Sequence, residues 1–310
     1  MNSIHPEITV AVPTRNRRDQ LSNLLLALER QTLDPSRFEI VVVDDGSRDG
    51  TAEFLAGWQK QESARRRVRR LPGSGPAAAR NAGIQEARGR IIAFIDDDCE
   101  PEAGWLAALG RALDQDPDLA GVGGETLPPE NPVLISRFIH TQCVMRTPEI
   151  KGGVVLHLQT NNAAFRRADL LAMQGFDESF TLAAGEDWDL SRRLRLAGKR
   201  LGFAPEARVV HHHRHTLSGF IRSYYGYGRG EAMMLRYQTR PRQLLRGLYR
   251  LRLFFNWILI PWRILKMFSR PDLSTPEKFI FPWLESLRQI LHTLGFLRQL
   301  PLTWGQAPTT

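Results

Sequence analysis

The chain has 310 residues, a hydrophobic fraction of 42% and a formal net charge of +9 at pH 7. This length supports one large domain, or a domain with an appended segment, and the hydrophobic fraction is ordinary for a globular protein. Two cysteines, Cys99 and Cys143, are too few for a disulfide framework and favour a reducing cytoplasm. The first residues, MNSIHPEITV, show no basic segment followed by an apolar one, so we expect no secretory signal.

The first hundred residues alternate between short apolar runs and segments with helical spacing. Strands are predicted at 8–12, 38–43 and 90–95, and helices at 19–30, 51–61 and 76–83. The second run is apolar at nearly every position, as a strand covered on both faces requires. This order of strands and helices predicts an α/β fold with a parallel sheet.

The next hundred residues continue the alternation less regularly. Helices are predicted at 106–113, 168–174 and 186–197, and strands at 119–123, 158–165 and 199–203. The stretch 127–153 mixes prolines with apolar residues and is predicted to be a mobile loop. The arginine-rich run Arg65–Arg70 is interpreted as a solvated loop.

From about residue 216 the sequence changes character. Helices are predicted at 216–237, with an interruption at Gly226–Gly230, and at 244–268. Residues 241–310 contain ten lysines and arginines against three acidic residues, a net +7. The uncharged stretch Leu253–Trp262 is shorter than the ~20 apolar residues that span a bilayer, and Pro261 interrupts it. Arginines beside Trp, Phe and Leu are typical of a helix in the membrane interface; packing on the catalytic domain or on a second subunit is the alternative.

Carboxylates follow two of the predicted strands directly. Asp44 and Asp45 end the second strand, and Asp96, Asp97 and Asp98 end the third. Ligands of α/β sheets bind at the carboxyl ends of the strands. Unpaired like charges would raise one another's pKa, and Mg²⁺ or Mn²⁺ removes that conflict. Asp96 and Asp98 point the same way along an extended segment and can share one ion; a solvated acidic turn is the alternative.

Six short segments, in order along the chain, resemble motifs of the family 2 glycosyltransferases. They are Val12–Asn16, Val43–Ser47, Ala79–Gly83, Phe94–Asp98, Gly175–Asp177 and Gly185–Leu190. Each is weak alone, whereas the ordered set is specific and extends over residues 7–215. The resemblance implies a GT-A catalytic domain at 1–215, with a Rossmann-like nucleotide-binding half (about 1–100) and an acceptor-binding half (about 101–215). It also implies metal-dependent, inverting transfer from a nucleotide sugar. Residues 216–310 then form a helical extension that we expect at a membrane surface.

The resemblance implies how the donor nucleotide is bound. Asp45 accepts from the ring N–H of the base, in the family typically uracil, and Pro13 and Arg15 line the base pocket. The family often has an aromatic residue in place of Arg15, so the base preference stays open here, with a UDP-sugar favoured. Arg80 lies one turn into its predicted helix and directs its guanidinium at the pyrophosphate.

The same resemblance implies a metal site. Asp98 and Asp96 are the expected ligands of Mn²⁺ or Mg²⁺, and Asp97 is counted with the donor-binding residues. Because three aspartates fill the motif, this assignment can shift by one residue. His211, directly after the strand-like residues 207–210, is the histidine expected at the metal or diphosphate, and His213 is the second choice.

Inverting transfer needs a base that deprotonates the acceptor hydroxyl as the anomeric carbon is attacked. We expect Asp187 to be this base and Glu186 to be its neighbour, orienting the acceptor. Both acids also suit a helix N-terminus through the helix dipole, and the two interpretations are compatible. Asn161 and Asn162 are expected to contact the donor sugar.

The expected function is therefore a hexosyltransferase that uses a nucleotide sugar and a glycan or lipid-linked acceptor in cell-surface polysaccharide or glycolipid synthesis. The basic tail indicates an anionic membrane surface as partner, peripherally at the cytoplasmic face of the cell membrane. Nucleic acid is not expected, because the aromatic residues of the tail lie among aliphatic ones. A metal-dependent sugar nucleotidyltransferase is one alternative, although Val10–Asn16 lacks the glycines of a phosphate loop. A non-catalytic membrane- or nucleic-acid-binding protein is the other.

Overall fold

The computed structural model describes residues 6–62, 64–142, 149–151, 154–212, 216–235, 248–249, 251, 255–256 and 258–303. The strands are β1 Ile8–Thr14, β2 Phe38–Asp44, β3 Arg66–Arg70, β4 Ile91–Phe94, β5 Cys99–Pro101, β6 Leu119–Leu127, β7 Glu149–Lys151, β8 Val154–His157, β9 Ala163–Arg166 and β10 Arg200–His211. The helices are α1 Arg18–Glu29, α2 Thr51–Gln61, α3 Pro76–Glu86, α4 Trp105–Gln115, α5 Leu134–Gln142, α6 Arg167–Ala172, α7 Glu186–Leu196, α8 Leu217–Met234, α9 Ile260–Phe268 and α10 Thr275–Thr303.

Eight of these strands form one sheet in the order β3-β2-β1-β4-β9-β6-β10-β5. β1 pairs in parallel with β2, from Ile8 opposite Phe38 to Thr14 opposite Asp44, and in parallel with β4 on its other side. β9 lies antiparallel between β4 and β6, and β10 runs parallel to β6. The predicted α/β fold with a parallel-rich sheet is confirmed, and the carboxyl ends of β1, β2 and β4 meet at one edge.

Apolar residues cover both faces of this sheet, because successive strand side chains point to opposite sides. Val10 and Val12 pack into the cluster that α1, α2 and α4 complete, whereas Ala11 packs into the cluster of α3, α6 and α7. Leu21 and Trp105 are fully buried on the first face, and Phe94 is fully buried on the second. The covered sheet therefore holds the loops at its carboxyl edge on a rigid base.

The arginine run Arg65–Arg70 was predicted to be a solvated loop. This prediction is wrong, because the run contains the edge strand β3. Arg65 and Arg66 both pair with Glu29 on α1. Arg66 also lies over the ring of Trp58 on α2. The charged side chains are thus neutralised locally, while the backbone pairs in parallel with β2.

The interpretation of 127–153 as a loop is wrong for α5, for β7 and for the end of β6, whereas residues 128–133 contain no helix or strand. The predicted strand 158–165 shortens to β9, since Gln159–Asn162 form a turn closed by the Asn162 N–H to the Gln159 carbonyl, 3.1 Å. β5 was not predicted. β10 extends well beyond the predicted 199–203 and ends at His211.

The described chain divides into two compact units. One is the α/β unit, residues 1–130, 145–181 and 186–213. The other is a helical unit, residues 131–144, 182–185 and 214–310. The predicted interruption of α8 at Gly226–Gly230 is absent, because these glycines let α10 approach: a Cβ on Gly228 would lie 1.8 Å from the His292 carbonyl oxygen. Phe138, Phe220 and Phe281 pack together in this unit, with the ring centroid of Phe138 5.9 Å from that of Phe220 and 5.3 Å from that of Phe281.

Only part of the predicted helix 244–268 lies within the described residues, and α9 is its defined portion. Pro261 lies in the first turn of α9. Backbone N–H groups in the first turn make no intrahelical hydrogen bond, so a proline, which lacks this group, is tolerated there. Within the described residues, no helix combines the length and the apolar character that crossing a bilayer requires.

Candidate active site

The polar residues of the α/β unit gather at the carboxyl edge of the sheet. Arg15 and Arg17 follow β1, Asp45 follows β2, and Asp96–Asp98 follow β4. Because these three strands are parallel neighbours, their ends open into the same region. His211 ends β10 at the same edge, where its backbone pairs with Cys99.

Asp45 organises the loop that leads into α3. Its two carboxylate oxygens accept the backbone N–H groups of Ser74, 2.6 Å, and Gly75, 2.9 Å. Gly75 has φ +98°, in the region that favours glycine, so the turn depends on this residue type. The Arg15 guanidinium lies 3.7 Å from Asp45 and is half exposed. The half-buried Pro13 lies in β1, opposite Val43.

Two members of the aspartate triplet are held by the guanidinium group of Arg17, a residue that was not predicted to belong to the site. Nη1 of Arg17 lies 2.8 Å from Asp97 Oδ1 and 2.5 Å from Asp98 Oδ2. Asp97 also accepts the hydroxyl of Thr14, 2.8 Å. Burial raises the pKa of Asp97 to about 7, although the charge of Arg17 opposes this. Asp97 is thereby tied to β1.

Asp98 has a second positive neighbour in His211. The His211 Nε2 lies 3.2 Å from Asp98 Oδ1, and its Nδ1 lies 3.3 Å from the Asn161 side-chain nitrogen. Burial alone would raise the pKa of Asp98, but His211 and Arg17 outweigh it and hold that pKa well below the usual range. Burial lowers the pKa of His211, and the Asp98 charge more than compensates, so the net shift is upward. His213 lies outside the described residues.

The donor set here fits a divalent cation. Ligand atoms of Asp98, Cys99 and His211 all lie within 4.8 Å of one another. Burial and the three adjacent aspartates raise the pKa of the Cys99 thiol well above its usual value, so it is a poor ligand beside the carboxylate and imidazole. Mn²⁺ and Mg²⁺ prefer oxygen ligands. Asp96 stands apart from this trio, with its carboxylate on Arg80.

Arg80 joins the aspartate triplet to the start of α7. Its buried guanidinium lies 3.0 Å from Asp96 Oδ1 and 2.6 Å from Glu186 Oε1. Burial raises the pKa of Glu186 to about 7, although the charge of Arg80 opposes this. The second oxygen of Glu186 has no hydrogen-bond partner in the described part of the chain. Arg80 therefore fixes the spacing between the two acidic clusters.

Asp187 is the partly exposed acid of the second cluster, with a side chain 20% accessible. Its Oδ1 accepts the backbone N–H of Trp188, 2.8 Å, and its Oδ2 lies 3.2 Å from His157 Nε2. Burial raises its pKa, but His157, Arg80 and the Trp188 N–H outweigh burial and lower it overall. Asp187 is therefore ionised at neutral pH and can accept a proton.

Asn162 has its side chain committed to the fold. The indole N–H of Trp105 donates to its Oδ1, 2.8 Å, and its amide nitrogen donates to the carbonyls of Glu125, 3.0 Å, and Ala207, 2.9 Å. Both amide hydrogens are used, so the geometry gives Asn162 a positioning role between α4, β6 and β10. Its neighbour Asn161 faces His211 instead, and a contact of either residue with a donor sugar stays a prediction.

Comparison with known proteins identifies the family. The family described as "Glycosyl transferase family 2" matches residues 9–170, and "Glycosyl transferase family group 2" matches residues 91–294. The chain belongs to glycosyl transferase family 2. A pre-mycofactocin glycosyltransferase of Mycobacterium tuberculosis is 32% identical over 234 residues, which cover 72% of this chain and 46% of that protein. This chain thus spans about half the length of that family 2 relative.

Longer matches come from an archaeal relative and from solved structures. Glycosyltransferase AglE of Haloferax volcanii is 27% identical over 306 residues, covering 98% of this chain and 93% of the relative. The mannosyltransferase PcManGT of Pyrobaculum calidifontis, solved with GDP-Man and Mn²⁺, has a TM-score of 0.64 at 20% identity, covering 96% of this chain and 87% of that one. S. aureus TarS with UDP-GlcNAc has a TM-score of 0.57 at 17% identity, covering 97% and 93%. The GT-A fold is confirmed.

In this family 2 chain, the predicted site residues are linked through the α/β unit. Asp45 holds the start of α3, and Arg80 on α3 reaches both acidic clusters. Arg17 and His157 were missed by the sequence reasoning. Arg17 lies in the basic run Arg15–Arg18, and the sequence does not distinguish it from the other arginines of that run. His157 is a lone histidine after an apolar segment, which by itself does not indicate a site residue.

Proposed function

We propose that this protein is a metal-dependent, inverting hexosyltransferase. It moves a sugar from a nucleoside diphosphate sugar, with a UDP-sugar favoured, to a hydroxyl of a glycan or lipid-linked acceptor. One observation carries the proposal: Arg80 bridges Asp96, in the metal-binding motif, to Glu186, next to the ionised Asp187. The names of structural neighbours with bound GDP-Man, UDP-GlcNAc and Mn²⁺ support a nucleotide-sugar donor.

The chemistry follows from what these residues can hold. Asp98 and His211, with Asp96 nearby, would hold the cation, which supplies charge neutralisation at the leaving diphosphate. Arg80 and Arg17 are fixed guanidinium groups beside that position and add positive charge there. Asp45 keeps lone pairs free to accept a base N–H while it orders the loop before α3.

Asp187 takes the proton from the acceptor hydroxyl while the hydroxyl oxygen attacks the anomeric carbon. The bond from that carbon to the diphosphate oxygen breaks in the same step, on the opposite face, so the configuration inverts. Ionisation of Asp187 at neutral pH suits this role, because a base must be unprotonated at the working pH. Glu186, held by Arg80, is the neighbour that we assign to acceptor orientation.

A transfer assay with a panel of nucleotide sugars, followed by detection of the released nucleotide, tests the proposal. We expect turnover with at least one donor, loss of turnover after chelation, and recovery on adding Mn²⁺ or Mg²⁺. Asp187→Asn should abolish turnover while donor binding persists. Asp118→Asn is the matched control, because Asp118 is 83% exposed and lies between α4 and β6. Normal turnover in Asp187→Asn at saturating donor would refute the assignment of the base.

The helical unit supports a membrane surface as partner. Trp262, Leu265 and Phe268 on α9 are between 50% and 71% exposed, and Trp283 on α10 is 53% exposed. Lys266 lies 5.5 Å from the Trp262 ring centroid, which places a cation beside the apolar groups. Exposed aromatic and aliphatic side chains with adjacent cations suit the anionic headgroup region of a membrane. We place the protein peripherally at the cytoplasmic face of the cell membrane, in polysaccharide or glycolipid synthesis.

Vesicle flotation tests this membrane contact independently of turnover. The full chain should float with vesicles of phosphatidylcholine and phosphatidylglycerol more than with phosphatidylcholine alone. A Trp262→Ser, Leu265→Ser double variant should remain at the bottom of the gradient. Leu26→Ser, Leu196→Ser is the matched control, because these residues are 56% and 69% exposed in the α/β unit. Equal flotation of the two double variants would remove the support for this surface.

A further inference from the structure

His157 is a buried histidine that no family motif in the sequence includes. It is the last residue of β8 and its side chain is 6% accessible. Its Nε2 lies 3.2 Å from Asp187 Oδ2, within hydrogen-bonding distance. Among the described residues, this nitrogen has no aligned hydrogen bond, and its 3.2 Å contact with Asp187 is a charge contact defined by distance. The polar group that faces this nitrogen is the carboxylate assigned as the base.

Two contacts fix the position of the imidazole. The ring of Trp188 stacks on it, with centroids 4.4 Å apart and planes 14° apart. The next residue, Leu158, donates its backbone N–H to Ser191 Oγ on α7, 3.1 Å, in a buried contact. The end of β8 is thus anchored to the helix that carries Asp187. The imidazole is thus stacked on one face, and the strand end that carries it is anchored to α7.

These contacts define the orientation of the Asp187 carboxylate. One oxygen accepts the Trp188 N–H, and the other faces His157. Each carboxylate oxygen has further lone pairs, and the exposed fifth of the side chain leaves them accessible to an acceptor hydroxyl. Proton transfer depends on a base held in hydrogen-bond reach of its proton, so a carboxylate fixed at both oxygens is prepared for that geometry.

We infer that His157 is a positioning residue that orients the Asp187 carboxylate for proton abstraction through the contact of its Nε2 with Asp187 Oδ2. This inference rests on the proposed function, in which Asp187 is the base. The proton of the acceptor hydroxyl goes to Asp187, the acceptor oxygen bonds to the anomeric carbon, and the diphosphate departs. The proton on His157 Nε2 stays on the imidazole throughout. Arg80 and Glu186 are the other charged groups beside Asp187.

The test compares His157→Gln with His157→Leu in the full chain. Leucine removes the imidazole nitrogen that contacts Asp187, and we expect kcat to fall about 10- to 100-fold with little change in the KM for the donor sugar, on the scale of one polar contact to a charged group. Glutamine carries an N–H that can reach the carboxylate and should restore most of kcat. The acidic limb of the kcat/KM profile should move to higher pH in His157→Leu, since the Asp187 pKa rises without this neighbour.

His292→Leu is the matched control. His292 lies 3.2 Å from Glu231 in the helical unit, so the substitution removes the same type of contact at the same distance. We expect its kcat and its acidic limb to equal those of the wild type. If His157→Leu also kept both, the inference would be overturned. The same is true if His157→Gln and His157→Leu lost activity equally and unfolded at the same lowered temperature, because that result indicates a purely structural role.

A second measurement separates this inference from the proposed function. In spectra of isotope-labelled histidine, the His157 ring nitrogens should shift in Asp187→Asn and not in Asp118→Asn. No shift would overturn the His157 contact without affecting the assignment of the base. An inactive Asp187→Asn with a fully active His157→Leu overturns the inference alone, whereas a fully active Asp187→Asn overturns the base assignment itself.

Discussion

Glu186 gives the sharpest test of the electrostatics in this site. It is 3% exposed, one oxygen is held by Arg80, and burial raises its pKa from 4.5 to about 7. In the window between these values the folded state binds a proton that the unfolded state has released. Stability from this group is therefore fully present below pH 4.5 and is lost as pH rises through about 7. At ~1.36 kcal/mol per pKa unit, the loss amounts to about 3 kcal/mol.

The perturbation is Glu186→Gln, which keeps an acceptor for Arg80 and removes the titration. Unfolding in urea, followed by tryptophan fluorescence, should show the variant more stable than the wild type by about 3 kcal/mol above pH 7. The difference should shrink to near zero towards pH 4.5. Titrating groups that do not interact with Glu186 are common to both proteins and cancel in the difference. A difference that stays constant across this range would refute the reasoning.

Three further predictions follow from single contacts. Asp98→Asn removes one charged ligand and should weaken Mn²⁺ binding, measured by calorimetry, by about 10-fold or more. Asp118→Asn should leave Mn²⁺ binding unchanged. Asn162→Ala should lower the free energy of unfolding by about 3 kcal/mol or more, because the buried Trp105 N–H and two carbonyls lose their partner; an unchanged stability with a raised donor KM would contradict this. Gly228→Ala should destabilise the helical unit in thermal unfolding, since its Cβ would lie 1.8 Å from a backbone oxygen, while Gly57→Ala, with open space around it, should stabilise by about 0.5–1 kcal/mol.

Much of the site could be predicted because its signals are local. A continuous apolar run that ends in Asp96–Asp98 is a buried strand with acids at its carboxyl end, whatever the rest of the chain does. The acids at the start of α7 also carry a local signal, since they favour a helix N-terminus. These features place each cluster on its own element, and parallel pairing then brings the elements to one edge.

The remaining site residues depend on contacts that local sequence does not encode. Arg17 meets Asp97 across 80 residues, and the two other arginines in its run, Arg15 and Arg18, have equal charge. Asn161 and Asn162 carry the same side chain, and distant partners, Trp105 among them, determine which of the two is tied into the scaffold. His157 depends on the turn that brings the end of β8 onto α7, which the apolar pattern of β8 does not reveal.

The two margins of the eight-stranded sheet bear on solubility during folding. An unpaired strand edge is a template on which another chain can add a strand, and long apolar edges promote aggregation. Here one margin is β5, only three residues long, and the other is β3, whose side chains are four arginines and one valine. A second copy approaching β3 meets the exposed side chains of Arg69 and Arg70 before it can form a hydrogen-bonded ladder. Charged side chains on an edge strand disfavour edge-to-edge pairing, so we expect β3 to resist the addition of a strand from a second copy.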